Sequence, residues 1–428
     1  MWSATLPALN LALVWLIGLT TIFLLFNQSR TSHYLARLNR PILFLILVAL
    51  IARLLPLLLL PVGAGYDIDS FKLVSDAFLN GEEVYTSAAR GRHPYLPLQM
   101  YILGATTYLS RTTPLPFIVW LKIPSLLADI LISVIIFKAF QRWGEPAGRA
   151  LFWALLFALN PISILVSSYH GQFDSIPVLL LLLAWYGWHF GRHIQRSAGF
   201  LGFAILDKTW PILFFPIIFL RLPDLRRRLF YTLVSFGIPI LFTAGYVLVY
   251  DSDPVPMLRR ALTHAGVPGY WGLSILPFVP GALWFDPDAV LRPVLPLQRV
   301  VLLLAGLFAL WWTRHQSALD ALLTIMLAIF TVTLGMGIQW LLWPLAFAIT
   351  ASEERWLRWY TVAGTLMMFV HLYGLHLYPW AGELFEPEVA TTIIRASALP
   401  AWIVVMLWTI SRLRRVREPD SLRSQSAA

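Results

Sequence analysis

Residues 41–62 form an almost unbroken apolar run in which Arg53 is the single charged side chain. That length matches the roughly 20 residues a helix needs to cross about 30 Å of hydrocarbon. Lipid offers no water to the backbone N–H and C=O groups, so a chain that crosses it must close its hydrogen bonds within helices or a barrel. Similar blocks recur from end to end, and the chain reads as an all-α polytopic membrane protein with one transmembrane domain over residues 1–428. Composition agrees: 58% of residues are hydrophobic and 13% charged, against about a quarter charged in a soluble domain. Mean hydropathy is +0.71.

The net charge of +10 does not point to nucleic acid. Its basic residues sit in short loops between apolar runs, where they act as topology signals, and no solvated basic stretch is interleaved with aromatics. The tail at 411–428 carries Arg412, Arg414, Arg415 and Arg417 and is expected on the cytoplasmic side, against anionic headgroups. With no cysteine there is neither a disulfide framework nor a thiol nucleophile. The first apolar run lacks a basic n-region and a small-residue cleavage site, so no cleavable signal is expected.

Charge bias orders the spans. Residues 6–26 cross first, and Arg30, Arg37 and Arg40 place the following loop inside. Residues 41–62 then run outward, so the polar segment at 63–111 is external, long enough to carry short interfacial helices. Further spans are expected at 116–137, 150–166, 176–190, 229–250, 300–312, 319–334, 341–349, 359–377 and 398–410. Two short runs, 199–206 and 212–220, flank Asp207-Lys208-Thr209-Trp210-Pro211 and read as a broken helical pair, which membranes tolerate where it lines a polar cavity. The total is about thirteen crossings at the usual span length. A second external segment covers 251–296.

On this topology the unusual polar groups share the external face: Asp67 and Asp69, the His170/Gln172/Asp174 run, Lys208, the Arg259/Arg260/His264 cluster and Gln339. A carboxylate can deprotonate an acceptor hydroxyl, while lysine or arginine can hold a phosphate leaving group. Each group also has a plainer role open to it. Asp67 and Asp69 can be solvated loop acids, Asp174 a helix cap, Lys208 a snorkelling cation, Arg259 and Arg260 loop charges, and Gln339 a turn residue. Arg53, Lys122 and Asp129 lie inside spans and are expected to be structural pairs.

Three stretches carry a family resemblance. Tyr66-Asp67-Ile68-Asp69, followed by Asp76 and Pro94-Tyr95, is similar to the first luminal loop of the GPI mannosyltransferase I branch. His170-Gly171-Gln172-Phe173-Asp174 resembles an HxQxD-type loop, and Lys208-Thr209-Trp210-Pro211 a K-x-x-P element. Together, from Asp67 to Gln339, the chain resembles the GT-C superfamily, polytopic glycosyltransferases that use polyprenyl- or dolichyl-phosphate sugars. The span at 6–26 is extra relative to many members.

The resemblance implies an inverting hexosyltransferase of the cell membrane with its active site extracytoplasmic. Mannose is the first expectation for the sugar and glucose the next; the acceptor is a glycan or lipid. Asp67 or Asp69 would be the general base, Lys208 with Arg259 or Arg260 would face the donor phosphate, and His170, Gln172 and Asp174 would line the donor or acceptor pocket. No cofactor is required. Relatives differ in whether the acidic loop binds a divalent cation, and the Asp67/Asp69 oxygens are of the hard type Mg²⁺ or Mn²⁺ takes. Two other classes stay open: a ligase or polymerase using a lipid-diphosphate glycan, and a lipid or sugar transporter, which broken helices also fit.

Overall fold

A computed structural model describes residues 6–26, 28–59, 65–191, 193–264, 266–278, 287–371 and 387–415. The chain divides into two compact units, Met1–His264 and Ala265–Ala428. The described residues are predominantly helical, as expected; the one sheet among them is a two-residue ladder. Residues 63–64 of the acidic segment, 265 and 279–286 of the second polar segment, the end of the span at 359–377, and the tail beyond 415, Arg417 included, lie outside the described residues.

In the first unit α1 (Leu6–Leu25) and α2 (Gln28–Leu35) precede α3 (Pro41–Leu59), which opens on a proline at its first position, where no N–H is needed. The acidic segment folds as α4 (Gly65–Leu79) and α5 (Leu98–Thr112) joined by turns. Helix α6 (Phe117–Arg142) follows, then α7 (Ala147–Ala158). A Cβ on Gly148 of α7 would sit 2.2 Å from the Ser32 carbonyl oxygen of α2, so only glycine allows that helix approach.

Asn160 and Pro161 break the next span. The Asn160 side chain accepts from the Ile162 N–H at 3.0 Å, and the chain restarts as α8 (Pro161–Ile164), running into a π-helical turn at Leu165–His170. The two halves are bent by 45°. π-Turns of this kind collect at functional sites. Helix α9 (Ser175–Gly191) and α10 (Ile194–Asp207) come next. The expected broken pair is present: α10 stops at Asp207, a 3₁₀ turn spans Trp210–Leu213, and α11 covers Phe214–Phe219. Helix α12 (Leu225–Tyr250) is capped by the Asp224 carboxylate on the Arg227 N–H, and α13 (Pro254–Thr263) by Asp253 on Val255 N–H.

In the second unit β1 (Val267–Pro268) pairs antiparallel with β2 (Gly335–Met336). Around this ladder lie α14 (Pro287–Trp312), α15 (Ala318–Val332), α16 (Trp343–Thr350), α17 (Glu354–Phe369) and two further helices, Pro387–Ala396 and Leu399–Arg415. Arg412 is buried. It donates to Glu353 at 2.5 Å and to Asp320 at 2.7 Å, and Arg415 joins Glu353 at 2.8 Å. Arg412 of the basic tail is therefore tied to its helices, since a buried cation with two carboxylates beside it stays where its partners are; Arg415 pairs with Glu353 while half exposed.

Five segments have the length and apolarity to cross a bilayer: Pro41–Leu58, Phe117–Arg142, Leu225–Tyr250, Leu291–Trp312 and Val389–Arg415; the bent pair Ala147–Ala158 with Pro161–His170 makes six. The expected thirteen are not reached among the described residues. The difference lies in apolar helices of 10–17 residues, such as Ser175–Gly191, Ala318–Val332 and Ile338–Thr350. At 1.5 Å per residue they fall short of a full hydrocarbon layer. The outward faces remain strongly apolar: Leu233 and Leu241 are each 70% exposed and Leu248 82%. Patches on that scale belong against lipid or protein rather than water.

Inside the first unit Arg53 and Asp129 form the expected structural pair, 2.8 Å apart and fully buried. Arg53 also donates to the Ala158 carbonyl at 2.7 Å and to Ser163 Oγ at 2.5 Å. It thereby clamps α3, α6 and both halves of the bent span. Lys122 instead donates to the Ser168 carbonyl at 2.8 Å.

Candidate functional site

The His170–Asp174 run is held in shape before it can hold anything else. Gly171 takes φ +82°, a left-handed conformation that costs other residues about 1–2 kcal/mol. A Cβ there would also press on Ile68 Cδ1 and Lys122 Cε, both at 3.3 Å. From α6, Ser125 Oγ donates to the Gln172 carbonyl at 2.8 Å and Lys122 to Ser168. The backbone of the run is thus pinned from α6, and its side chains turn toward α4 and Lys208.

Asp67 lies in the first turn of α4, where the helix dipole favours a negative charge. Its Oδ2 accepts from Gln172 Nε2 at 2.8 Å and lies 3.4 Å from His170 Nε2. A carboxylate can only accept, so the Gln172 amide must present its NH₂. With 32% of its side chain exposed, Asp67 is both fixed and reachable. Burial raises its carboxyl above the ordinary carboxylate value, against the opposing pull of the Gln172 hydrogen bond and the nearby Lys208 and His264. Asp69 is exposed. Two residues apart on a helix, the two carboxylates point to different sides. Among the described residues no group of three or more His, Asp or Glu side chains is placed to hold a metal ion.

Behind Asp67 lies a buried ion pair. Lys208 donates to Asp174 Oδ2 at 2.7 Å, with 4% and 0% of their side chains exposed. The Lys208 ammonium sits 4.5 Å from the Phe173 ring centroid and 5.0 Å from that of Tyr95, a cation–π cage on two sides. The rings meet edge to face at 5.1 Å. The break after α10 delivers this lysine: a helix continuing past Asp207 would carry Lys208 round its own axis instead. Next to it the buried Asp207 accepts from Gln99 Nε2 of α5.

The cation cluster of the second polar segment divides. Arg260 Nη2 donates to the Gly91 carbonyl at 2.6 Å and the His264 ring lies 6.2 Å from that of Tyr95, so both approach the turn region at 91–95. Arg259 is exposed on α13. Gln339 belongs to the second unit, in the 3₁₀ turn Ile338–Leu342.

Arg92, His93 and Gln99 carry no role in the sequence reading, and Tyr95 enters it only within the Pro94-Tyr95 stretch. Arg92 stacks on the Tyr66 ring at 4.3 Å and donates to Ser70 Oγ at 3.2 Å, which seats a half-buried guanidinium against the start of α4. Tyr95 is the second wall of the lysine cage, its phenol pushed up to about 12 by burial. His93 is buried and lowered to about 4 by the loss of solvent, hence neutral. Gln99 completes the set. The run Arg92-His93-Pro94-Tyr95 was a visible polar and aromatic cluster; Gln99 had no such signal.

Chemically the arrangement offers a fixed, partly exposed carboxylate with an amide and an imidazole on the same oxygen, an arginine nearby, and a neutralised ion pair behind. Neither a protein-family model nor any curated protein matches the chain.

Proposed function

We propose that the protein is a membrane-embedded hexosyltransferase that uses a polyprenyl-phosphate sugar, mannose first and glucose next, and works at the extracytoplasmic face. The observation that carries the reading is Asp67: a half-buried carboxylate with a raised proton affinity, oriented by Gln172 and His170 at the surface of the first unit. A carboxylate is a better base when partly desolvated, provided it is held within reach of the proton it takes.

In this reading the acceptor hydroxyl hydrogen-bonds to Asp67 and gives up its proton as its oxygen attacks the anomeric carbon. The bond from that carbon to the phosphate oxygen breaks on the opposite face, so configuration inverts, and the electron pair leaves on the lipid phosphate. Arg92 and Arg260, both placed by contacts to the α4 and 91–95 region, are the cations suited to that phosphate. Lys208, buried and committed to Asp174, acts as a positioning residue for the His170–Asp174 run. Asp69, exposed and on another side of the helix, takes no part in proton transfer.

The test is donor consumption by the purified protein in detergent, with polyprenyl-phosphate mannose or glucose and a pooled glycan and lipid acceptor extract. The proposal expects inverted glycoside and free lipid phosphate from one donor. Folded protein that consumes neither donor, yet moves lipid-linked sugar in liposomes, would replace it with the transporter reading; turnover of a lipid-diphosphate glycan would replace it with the ligase reading.

A further inference from the structure

The far ends of the helices that build this site carry a second feature. Helices α6, α9 and α10 present Lys122, Asp174 and Lys208 at one end; at the other they enclose a cavity of about 540 Å³. Its walls are Ile135, Leu183 and Phe200, and its rim is Lys138, Arg142 and Arg196. No acidic side chain lines it among the described residues. Arg142 is held over the Tyr186 ring at 5.1 Å and the Phe190 ring at 5.6 Å, so its guanidinium is placed before any ligand arrives.

The apolar wall continues away from the rim. On α6 Leu131 and Leu127 lie one and two turns before Ile135, and they are 50% and 52% exposed. The apolar stripe from Leu127 to Ile135 spans about 12 Å along the helix axis before it meets Lys138 and Arg142. A groove greasy along its length and triply basic at one end fits an amphiphile with a phosphate head, and basic pockets between helices at the cytoplasmic side are suited to anionic lipid headgroups. The positive charge bias assigns this end to the cytoplasm.

We infer that this cavity is a binding site for an anionic glycerophospholipid, its phosphate in the Lys138/Arg142/Arg196 rim and an acyl chain along Ile135, Leu131 and Leu127. Three exposed cations share this rim, and among the described residues no carboxylate lines it, so its charge favours an anion. The apolar track selects a lipid over a soluble phosphate, and the exposure of Leu127 and Leu131 gives the chain a lateral way in from the bilayer. The lipid would brace α6, α9 and α10 against one another at the end opposite the candidate catalytic site.

Native mass spectrometry of the full chain in a neutral detergent tests this, titrating phosphatidylglycerol and phosphatidylcholine. The site predicts one phosphatidylglycerol bound at least tenfold more tightly than phosphatidylcholine. In K138Q/R196Q, which leaves the stacked Arg142 in place, that affinity falls roughly tenfold or more. In R226Q/R227Q, which removes two exposed cations of α12 at the same end, it is unchanged. Equal loss in the two double variants means bulk charge attraction and overturns the site, as does equal binding of the two lipids. Displacement of phosphatidylglycerol by millimolar glycerol 3-phosphate or inorganic phosphate would assign the rim to soluble phosphates and overturn the lipid proposal. Should K138Q/R196Q melt early, R196Q alone reads the same affinity with a smaller expected fall, and no fall would count against the site.

Discussion

At the residue scale Asp67 and Asp69 look alike in the sequence and part company in the fold. Asp67→Asn should lower turnover by at least 100-fold, the scale of general base catalysis, while Asp69→Asn stays within about twofold, measured as donor consumption. Because burial raises the Asp67 carboxyl, its protonated form persists above the ordinary carboxylate range, and the acid limb of the rate profile should fall with an apparent pKa above 3.8. The linked stability has a definite sign. A carboxyl raised in the folded state favours folding most at pH below its unfolded value, and that contribution is lost as pH rises through the folded one. Asp67→Asn should therefore melt no lower than wild type at pH 7, with the gap closing in acid; a clear drop in melting temperature would mark Asp67 as structural. Asp174 and Lys208 behave oppositely. Lys208→Met strands a buried carboxylate and should cost about 3–5 kcal/mol, with K208M/D174L costing less than K208M alone; equal stability of wild type and K208M in denaturant would refute the buried pair. These roles were partly readable in the sequence. The HxQxD-type run and Lys208 stood out because polar residues are dense there between apolar blocks. Gln99 did not, because its partner Asp207 is 108 positions away and nothing local distinguishes it.

At the element scale the site depends on interruptions of helices rather than on helices. The π-turn at Leu165–His170, the left-handed Gly171 and the break after Asp207 set His170, Gln172, Asp174 and Lys208 in place. The Asp207–Pro211 break was legible, since a polar pair followed by proline cannot continue an apolar helix. The π-turn was not, because Leu165-Val166-Ser167-Ser168 has the composition of an ordinary helix. Gly171→Ala tests the arrangement. The left-handed conformation should cost about 1–2 kcal/mol, and displacing Gln172 should lower turnover while the lipid affinity of the opposite cavity is retained. Unchanged melting and turnover would show that the run tolerates a Cβ and that its geometry is not tight. The count of about thirteen spans is not reached among the described residues for a related reason. The runs at 176–190, 319–334 and 341–349 fall in apolar helices of 10–17 residues, and apolar content alone does not separate a full span from a short buried helix.

At the scale of the whole molecule, the five or six long apolar helices among the described residues and the strongly exposed leucines of α12 make a bilayer the natural solvent, and the basic loops propose a sidedness. The cysteine-free chain makes sidedness measurable: Arg90→Cys, beside the candidate site, and Arg226→Cys, beside the basic end, should be labelled by an impermeant maleimide from opposite faces. Labelling of both from one face would contradict the topology and with it the placement of the two sites. The central claim is that Asp67 is the base of a sugar transfer from a lipid phosphate. Its most direct measurement is turnover of polyprenyl-phosphate mannose and glucose by purified wild type, Asp67→Asn and Asp69→Asn, each first shown to melt as a folded protein. Wild type and Asp69→Asn should turn over one donor and Asp67→Asn should not; full turnover in folded Asp67→Asn would rule out Asp67 as the base.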